Sequence, residues 1–227
     1  MSDPRVAADI GHYVAQKVRA SPKFRGWPPW LCDEVQSALA VGAKGMFRWA
    51  VCQLDILRRI NDIGSIRAAL RDLPETLDDT YIRIFSHTNI HKADWRLLRH
   101  TLRMISFHNA TKSIHVSEIT DSGVISTYMA FNECGPSPTA DHLYTPRLLE
   151  EICDCLVTFR DDSSSSRRYA TFAHYTVREF IESDRCASSP AAFFRSPPHE
   201  VEWDIITSSI GQLGGAAISL RFTGTFG

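Results

Sequence analysis

The segment from Met46 to Ile60 constrains the fold of this 227-residue chain more than any other part of its sequence. Its apolar residues recur at helical spacing on two sides of one helix. One stripe consists of Phe47, Ala50, Val51, Leu54 and Leu57, and the other of Trp49, Ile56 and Ile60. Because both stripes need apolar neighbours, we expect this helix to lie at the centre of a helical domain.

The residues around this segment predict further helices separated by helix-breaking residues. Apolar residues at helical spacing predict helices over residues 4–19, 31–43 and 93–107, and a further helix with an apolar face of Leu77, Tyr81, Ile84 and Phe85. The proline-containing stretch over residues 21–29 breaks the first helix, and we expect Trp27 and Trp30 to anchor that turn. The sequence therefore predicts a helical bundle domain over residues 1–92.

Capping residues predict where two of these helices begin. Ser65 is a candidate cap for a short helix that runs to Leu73 and stops at Pro74. Thr76 and Asp79 have the spacing of a capping box at the start of the next helix.

The pattern changes in the second half of the chain. A short helix is predicted over residues 114–125, and helical spacing resumes over residues 148–156. The stretches 156–159 and 169–173 flank a polar run and predict two strands joined by an exposed loop. A helix over residues 176–183 follows.

This order of elements predicts a small α+β domain of the winged-helix type over residues 93–185, with a two-stranded wing. The fold class is therefore mainly α, with a helical bundle followed by the winged helix. Residues 186–227 are interpreted as a tail, the truncated start of a following helical or repeat region.

Composition and charge narrow the possible environments and partners. The chain has 25 lysines and arginines against 26 aspartates and glutamates, so it lacks the global positive field that attracts nucleic acid or anionic membranes. No apolar stretch approaches the ~20 residues of a membrane-spanning helix, and residues 1–10 lack a signal-peptide core. We therefore expect a cytoplasmic protein with no nucleic-acid or membrane partner, and with its six cysteines as free thiols.

Motifs for catalysis and metal binding are missing from the sequence. It contains no P-loop, no GxSxG nucleophile elbow and no HExxH helix. His87 and His91 have helical spacing but no nearby third ligand, and Cys153 and Cys155 point to different sides of a helix. We therefore predict that the chain is not an enzyme, has no catalytic residues and holds neither a metal nor a cofactor of its own.

Three adjacent carboxylate pairs and one serine run have ordinary structural explanations. The pairs Asp78–Asp79, Glu150–Glu151 and Asp161–Asp162 are assigned to helix caps and solvated faces, because neighbours on a helix do not converge on one substrate. The run Ser163 to Ser166 beside two arginines is typical of a flexible hairpin tip and also of a phosphorylation site.

A winged helix also raises the alternative of a DNA-binding regulator. The helix that would enter the major groove, residues 147–155, carries Glu150, Glu151 and Asp154 against a single arginine, Arg147. Since approach to phosphates needs net positive charge, this helix disfavours the alternative.

Three motifs of the chain resemble a known family. They are Gly45-Met46-Phe47-Arg48-Trp49-Ala50-Val51-Cys52-Gln53-Leu54-Asp55, Leu73-Pro74-Glu75-Thr76-Leu77-Asp78-Asp79-Thr80-Tyr81 and Phe172-Ala173-His174-Tyr175-Thr176-Val177-Arg178-Glu179-Phe180. Together they resemble the C-terminal part of the NACHT region in fungal signal-transduction NTPases, which often carry ankyrin repeats. This region includes the winged-helix module named after GPI inositol-deacylase, and the likeness covers about residues 5–185.

The resemblance implies a role for His174 and a partner for the chain. In the family an upstream P-loop domain binds ATP, the helical and winged-helix segments close over the nucleotide, and opening permits oligomerisation. The segment around His174 resembles the Met-His-Asp motif, whose histidine contacts the phosphate of ADP, with Tyr175 in place of the aspartate. The alternative for His174 is a structural role, in which it satisfies backbone groups where the strand enters the helix.

The leading hypothesis is thus a non-enzymatic signalling or interaction module, the regulatory arm of a NACHT-type NTPase. Its expected partner is a protein, specifically a nucleotide-binding domain in cis, and ATP or ADP would be bound only if such a domain were joined upstream. The alternatives are the DNA-binding regulator and a fragment from an incomplete gene model. A lipid-modifying hydrolase is suggested only by the name of the module, and the missing GxSxG motif opposes it.

Overall fold

The chain divides into two units between His87 and Thr88. The structure is a computed structural model, and it describes residues 4–86, 92–107, 114–120, 145–162 and 168–201. The described residues confirm a mainly helical protein, in which a helical unit is followed by a unit that combines helices with a small antiparallel sheet.

Over residues 4–86 the first unit contains five α-helices. They are α1 (Pro4–Ala20), α2 (Pro29–Gly42), α3 (Phe47–Leu57), α4 (Ile63–Arg71) and α5 (Leu77–Ser86), with a 3-10 turn at Pro22–Phe24 between the first two. The core consists of side chains from α1 to α4 and the intervening turns: Ile10, Val14, Val18, Phe24, Leu31, Val35, Leu39, Ala43, Trp49, Ala50, Leu54, Leu57 and Ile66.

Helix α3 contributes the largest fully buried side chain of the described residues, Trp49. Its indole packs so closely on α2 that a Cβ atom built on Gly42 would lie 2.7 Å from the ring, and its Nε1 donates a hydrogen bond to the carbonyl of Pro74 (2.9 Å). From the other predicted stripe Ala50, Leu54 and Leu57 are buried, while Phe47 remains 40% exposed at the start of the helix. Both predicted stripes of α3 therefore contribute to the core.

The starts of α4 and α5 test the two predicted caps. Asp62, not Ser65, caps α4: its carboxylate accepts a hydrogen bond from the backbone N–H of Ser65 (2.7 Å), so the prediction for Ser65 was wrong. A cap accepts from the amide two or three residues later, which places Ser65 inside the first turn. The predicted cap at Thr76 is confirmed, since Thr76 Oγ1 accepts from the Asp79 N–H (3.1 Å). The Asp79 carboxylate accepts from the Thr76 hydroxyl (2.6 Å), whereas in a capping box it would accept from the Thr76 backbone N–H.

The second unit places helices around a three-stranded antiparallel sheet. Its described elements are α6 (Lys92–Phe107), β1 (Ile114–His115), α7 (Val116–Thr120), α8 (Pro146–Cys153), β2 (Val157–Asp161), β3 (Arg168–Phe172), α9 (Tyr175–Glu182) and α10 (Asp184–Ala187). Short 3-10 turns lie at Asp154–Leu156 and Ala192–Phe194. The strand order is β1-β3-β2.

The sheet confirms the predicted hairpin and adds one strand. In the hairpin Val157 pairs with Phe172 and Asp161 with Arg168. Ile114 pairs with Ala170 on the other edge of β3, so a strand occupies the start of the helix that was predicted from residue 114. The helix begins only at Val116 because the backbone before it is paired with β3, and residues 121–125 of that prediction lie outside the described residues.

The described part of the segment after position 185 packs within the second unit. Cys186, Phe194 and Val201 are buried, and the backbone N–H of Ser196 donates to the carbonyl of Ile181 in α9 (2.8 Å). Among the described helices of the whole chain, none has both the length and the apolar composition needed to cross a bilayer.

Candidate functional site

The junction between β3 and α9 contains the predicted site residue, His174. Its backbone is extended (φ −158°, ψ 150°), and its side chain caps α9 by accepting a hydrogen bond from the N–H of Thr176 at Nδ1 (3.3 Å). Nδ1 also lies 2.8 Å from the hydroxyl oxygen of Thr176. A nitrogen that accepts a hydrogen bond carries no proton, so the neutral ring has its hydrogen on Nε2.

Tyr175, the next residue, is the most exposed aromatic side chain among the described residues. It is 67% exposed, and its ring lies against that of His174 with centroids 4.4 Å apart and planes at 35°. The contact with a ring that is itself held by a helix cap restricts the orientation of the tyrosine. An exposed and oriented aromatic ring therefore marks the start of α9.

The rest of α9 anchors this junction to the second unit. Its apolar face buries Val177, Phe180 and Ile181, and a charge-assisted hydrogen bond joins Arg178 Nε to Glu182 Oε1 (2.6 Å) along the helix. A fixed helix and an antiparallel strand thus hold His174 and Tyr175 from both sides.

At the end of the hairpin away from the junction, charged residues of α8, β2 and β3 are paired with one another. Arg168, on β3, forms ion pairs with Glu150 of α8 and with Asp161 of β2 (3.2 Å for the second), and its guanidinium lies 5.8 Å from the ring centroid of Phe159. Arg147 pairs with Glu151 one turn further along α8 (3.2 Å). Each of these two arginines therefore has a carboxylate beside it.

In the first unit, hydrogen bonds join the first two motifs that carry the family resemblance. Three side-chain hydrogen bonds connect them: Trp49 Nε1 to Pro74 O (2.9 Å), Gln53 Nε2 to Thr80 Oγ1 (3.0 Å) and Arg48 Nε to Tyr81 Oη (3.4 Å). The bond between Gln53 and Thr80 is buried. The two motifs thus form one packed feature, in which α3 is fixed to the beginning of α5.

No protein-family model, curated protein or solved structure matches this chain.

The described cysteines of the second unit, Cys153, Cys155 and Cys186, are core residues. Cys153 and Cys155 are both buried, and burial raises the pKa of the Cys153 thiol well above its usual range. Burial likewise raises the pKa of Cys186 to about 11, and its thiol donates to the carbonyl of Ala191 (3.4 Å). The thiols of Cys153 and Cys186 are therefore protonated at neutral pH, whereas a nucleophile or a metal ligand needs the thiolate.

The other residues that the sequence raised as candidates belong to helix caps or to ion pairs, or lie outside the described residues. Asp79 belongs to the cap of α5, and Glu150 and Asp161 belong to the ion pairs of Arg168. The pair His87 and His91 and the run Ser163 to Ser166 lie outside the described residues. Within the described ranges no three or more His, Cys, Asp and Glu side chains cluster as a metal site would require.

Sequence reasoning missed a buried polar face on α6. His100 and Arg103 are 1% and 2% exposed, although neither belongs to the apolar spacing that predicted this helix. Burial lowers the pKa of His100 to about 4, the charge of Arg103 lowers it further, and a backbone hydrogen bond at Ile119 opposes both effects. Helical periodicity along α6 cannot indicate that these two residues are buried, because α7, which contains Ile119, packs on α6 only in the folded chain.

Proposed function

We propose that this chain is a non-enzymatic interaction module, the regulatory arm of a NACHT-type signalling NTPase, and that its second unit is a winged helix. Its partner is a nucleotide-binding domain joined to it in cis. The observation that carries the proposal is the junction of β3 and α9, where the exposed Tyr175 is held against the capping residue His174.

The geometry of Tyr175 suits a contact between proteins. Tyrosine is among the residues that dominate binding energy at interfaces, since it buries a large area and loses little conformational entropy. Here the contact with His174 orients the ring before binding, so the side chain loses less conformational entropy when the complex forms.

The hydrogen bonding of His174 suits a nucleotide sensor in the complete NTPase. Because Nδ1 accepts from the backbone, Nε2 carries the hydrogen and is a donor, as a contact with an ADP phosphate requires. ATP or ADP enters this proposal only through an upstream P-loop domain. The structural role as a helix cap and the sensor role use different nitrogens, so the first does not exclude the second.

The family assignment is supported by the packing of its motifs. The first two motifs are connected by the three hydrogen bonds between α3 and the start of α5, and the third builds the junction at α9. In each case the motif includes the first turn of a helix.

DNA binding has less support from the described charges. Arg147 and Arg168 are the arginines of α8 and β3, and each is paired with a carboxylate of the same unit. A phosphate would have to compete with these carboxylates, whereas DNA-binding surfaces present unpaired cations. Binding to duplex DNA is measured at low salt and again as salt is added. Measurable affinity that falls steeply with added salt would support the DNA-binding alternative.

The proposal is tested with the complete NTPase identified by sequencing the native transcript through both ends. The full 227-residue chain is titrated into the separately purified nucleotide-binding domain, and the heat of binding is measured with and without ADP. We expect Tyr175→Ala to weaken binding by about tenfold or more, the effect of losing one interface hot spot. Val41→Ser, in the 80% exposed residue at the end of α2, serves as the control in the full-length chain.

His174 is tested in the same complete protein. His174→Ser keeps a residue that can cap α9 and removes the imidazole, so we expect a stable protein that releases ADP faster than wild type. If the variant releases ADP at the wild-type rate, His174 is not a nucleotide sensor and serves only as the cap of α9. A transcript that encodes no P-loop, together with no effect of Tyr175→Ala on binding to any nucleotide-binding domain, would contradict the proposal as a whole.

A further inference from the structure

A groove opens on the first unit where α1, the 3-10 turn and the start of α2 meet. It has a volume of about 310 Å³, at the lower end of the range of about 300–1,000 Å³ for ligand sites. Its lining includes the buried side chains of Val18 and Phe24 and the half-buried indole of Trp27, whose ring centroid lies 4.5 Å from that of Phe24. The groove therefore has an apolar, aromatic floor.

A second depression continues this groove along the seam between α1 and α2. It has a volume of about 480 Å³ and shares Ala15, Arg19 and Gln36 with the first. His12 and Gln16 extend it toward the start of α1. Because the two depressions together follow α1 from His12 to Ala20, about two and a half turns, the combined shape fits an elongated ligand better than a compact one.

The charged residues at the groove are mostly basic and are not paired with each other. Arg19 and Arg25 line it and are exposed, and within residues 4–86 neither forms an ion pair. By contrast Arg58, Arg67 and Arg83 of the same unit each lie beside a carboxylate. With Asp33 as the only carboxylate of its lining, the groove attracts a negatively charged ligand.

We propose that this groove binds an acidic peptide segment of a partner protein. A large apolar side chain of the peptide rests on Phe24 and Trp27, and its carboxylates pair with Arg19 and Arg25. Gln36 and Asp33, on α2, supply amide and carboxylate groups that suit the backbone of a peptide.

This inference concerns the first unit alone and does not depend on the proposed function. The proposed nucleotide-binding partner contacts Tyr175 in the second unit, so the failure of either idea leaves the other unaffected.

The probe for the experiment is a fluorescein-labelled peptide of alternating glutamate and leucine, titrated with the full chain while fluorescence anisotropy is recorded. We expect saturable binding that weakens as salt is added, and no comparable binding of the matching lysine–leucine peptide. The double variant Arg19→Glu/Arg25→Glu should bind the acidic peptide at least about tenfold more weakly, because attraction becomes repulsion. Both arginines are exposed and unpaired within the described first unit, so this variant should keep a cooperative melt. Its melting temperature should fall only slightly, because residue 19 lies in the last turn of α1, where a carboxylate opposes the helix dipole.

Arg71→Glu is the matched control, since Arg71 is an exposed arginine at the end of α4 outside the groove. Its binding should equal that of wild type. The proposal is overturned if the acidic peptide does not bind, if the lysine–leucine peptide binds equally well, or if the control loses as much affinity as the double variant. Binding of phosphatidylserine vesicles in preference to the peptide would also overturn it, in favour of a membrane surface.

Discussion

At the scale of single residues, His174 shows how one side chain can meet a local requirement and still offer a second group. Its Nδ1 satisfies a backbone amide at the start of α9, which is the structural role that strand-to-helix junctions require. Nε2 then carries the ring hydrogen, which the proposed phosphate contact would use. The sequence located the residue, and the structure determined which nitrogen serves the helix.

His100 differs from His174 because it is buried beside a cation. Its pKa in the folded protein is about 4, against 6.5 for an unburied histidine, because burial and the nearby Arg103 disfavour the protonated ring. A lowered pKa means that the unfolded chain binds the proton more readily than the folded one. The contribution of His100 to stability is therefore complete above pH 6.5 and is lost as the pH falls toward 4.

We predict that the free energy of unfolding falls between pH 6.5 and 4 by up to roughly 1.4 kcal/mol per pH unit through this one proton. Urea unfolding at a series of pH values measures the slope. His100→Gln should have a shallower slope than wild type, because the carboxylates that also titrate are common to both proteins. Parallel slopes would show that His100 is not buried in its neutral form.

At the scale of elements, helix ends depend on short polar residues that accept from backbone amides. Asp62 caps α4, and Thr76 with Asp79 caps α5. Hydrogen bonds from Ser65 lower the pKa of the Asp62 carboxyl group, so this cap keeps its charge well into the acidic range. Sequence inspection found the second cap and chose the wrong residue for the first, since Asp62 and Ser65 are both favourable capping residues.

We predict that Thr76→Ala destabilises the protein by about 1 kcal/mol, the usual effect of removing an N-terminal cap. The substitution leaves the N–H of Asp79 without its acceptor and removes the hydroxyl that donates to the Asp79 carboxylate. Chemical denaturation gives the difference in free energy. Thr76→Ser is the control and should stay close to wild type, whereas equal losses in both variants would point to the missing methyl group instead of the cap.

At the scale of the whole molecule, the chain consists of two units, and the first has an apolar core cluster of its own. The buried members of this cluster lie between Ile10 and Ile66, with further apolar residues from Val6 to Leu77 packed against it. The polar bond between Gln53 and Thr80 also lies inside this unit. A unit that contains its own core should fold without the rest of the chain.

We therefore predict that residues 1–87, expressed alone, form a helical protein that unfolds in one cooperative transition. Far-ultraviolet circular dichroism and thermal melting provide the measurement. Trp49→Ala in the same fragment should lower its stability by about 3–5 kcal/mol, because it leaves a large cavity at the centre of the core. A fragment without a cooperative transition would show that the first unit needs the second in order to fold.

The sequence by itself determined the mainly helical class, the hairpin, most helix positions and the place of His174. Helical and strand periodicity, prolines and caps are local signals, and they act before distant parts of the chain meet. Only the tertiary structure decided that His100 and Arg103 are buried, that a strand precedes α7, and that Arg19 and Arg25 border an aromatic groove. These features arise where separate elements pack together, and burial and pairing across such contacts have no counterpart in the spacing of residues along the chain.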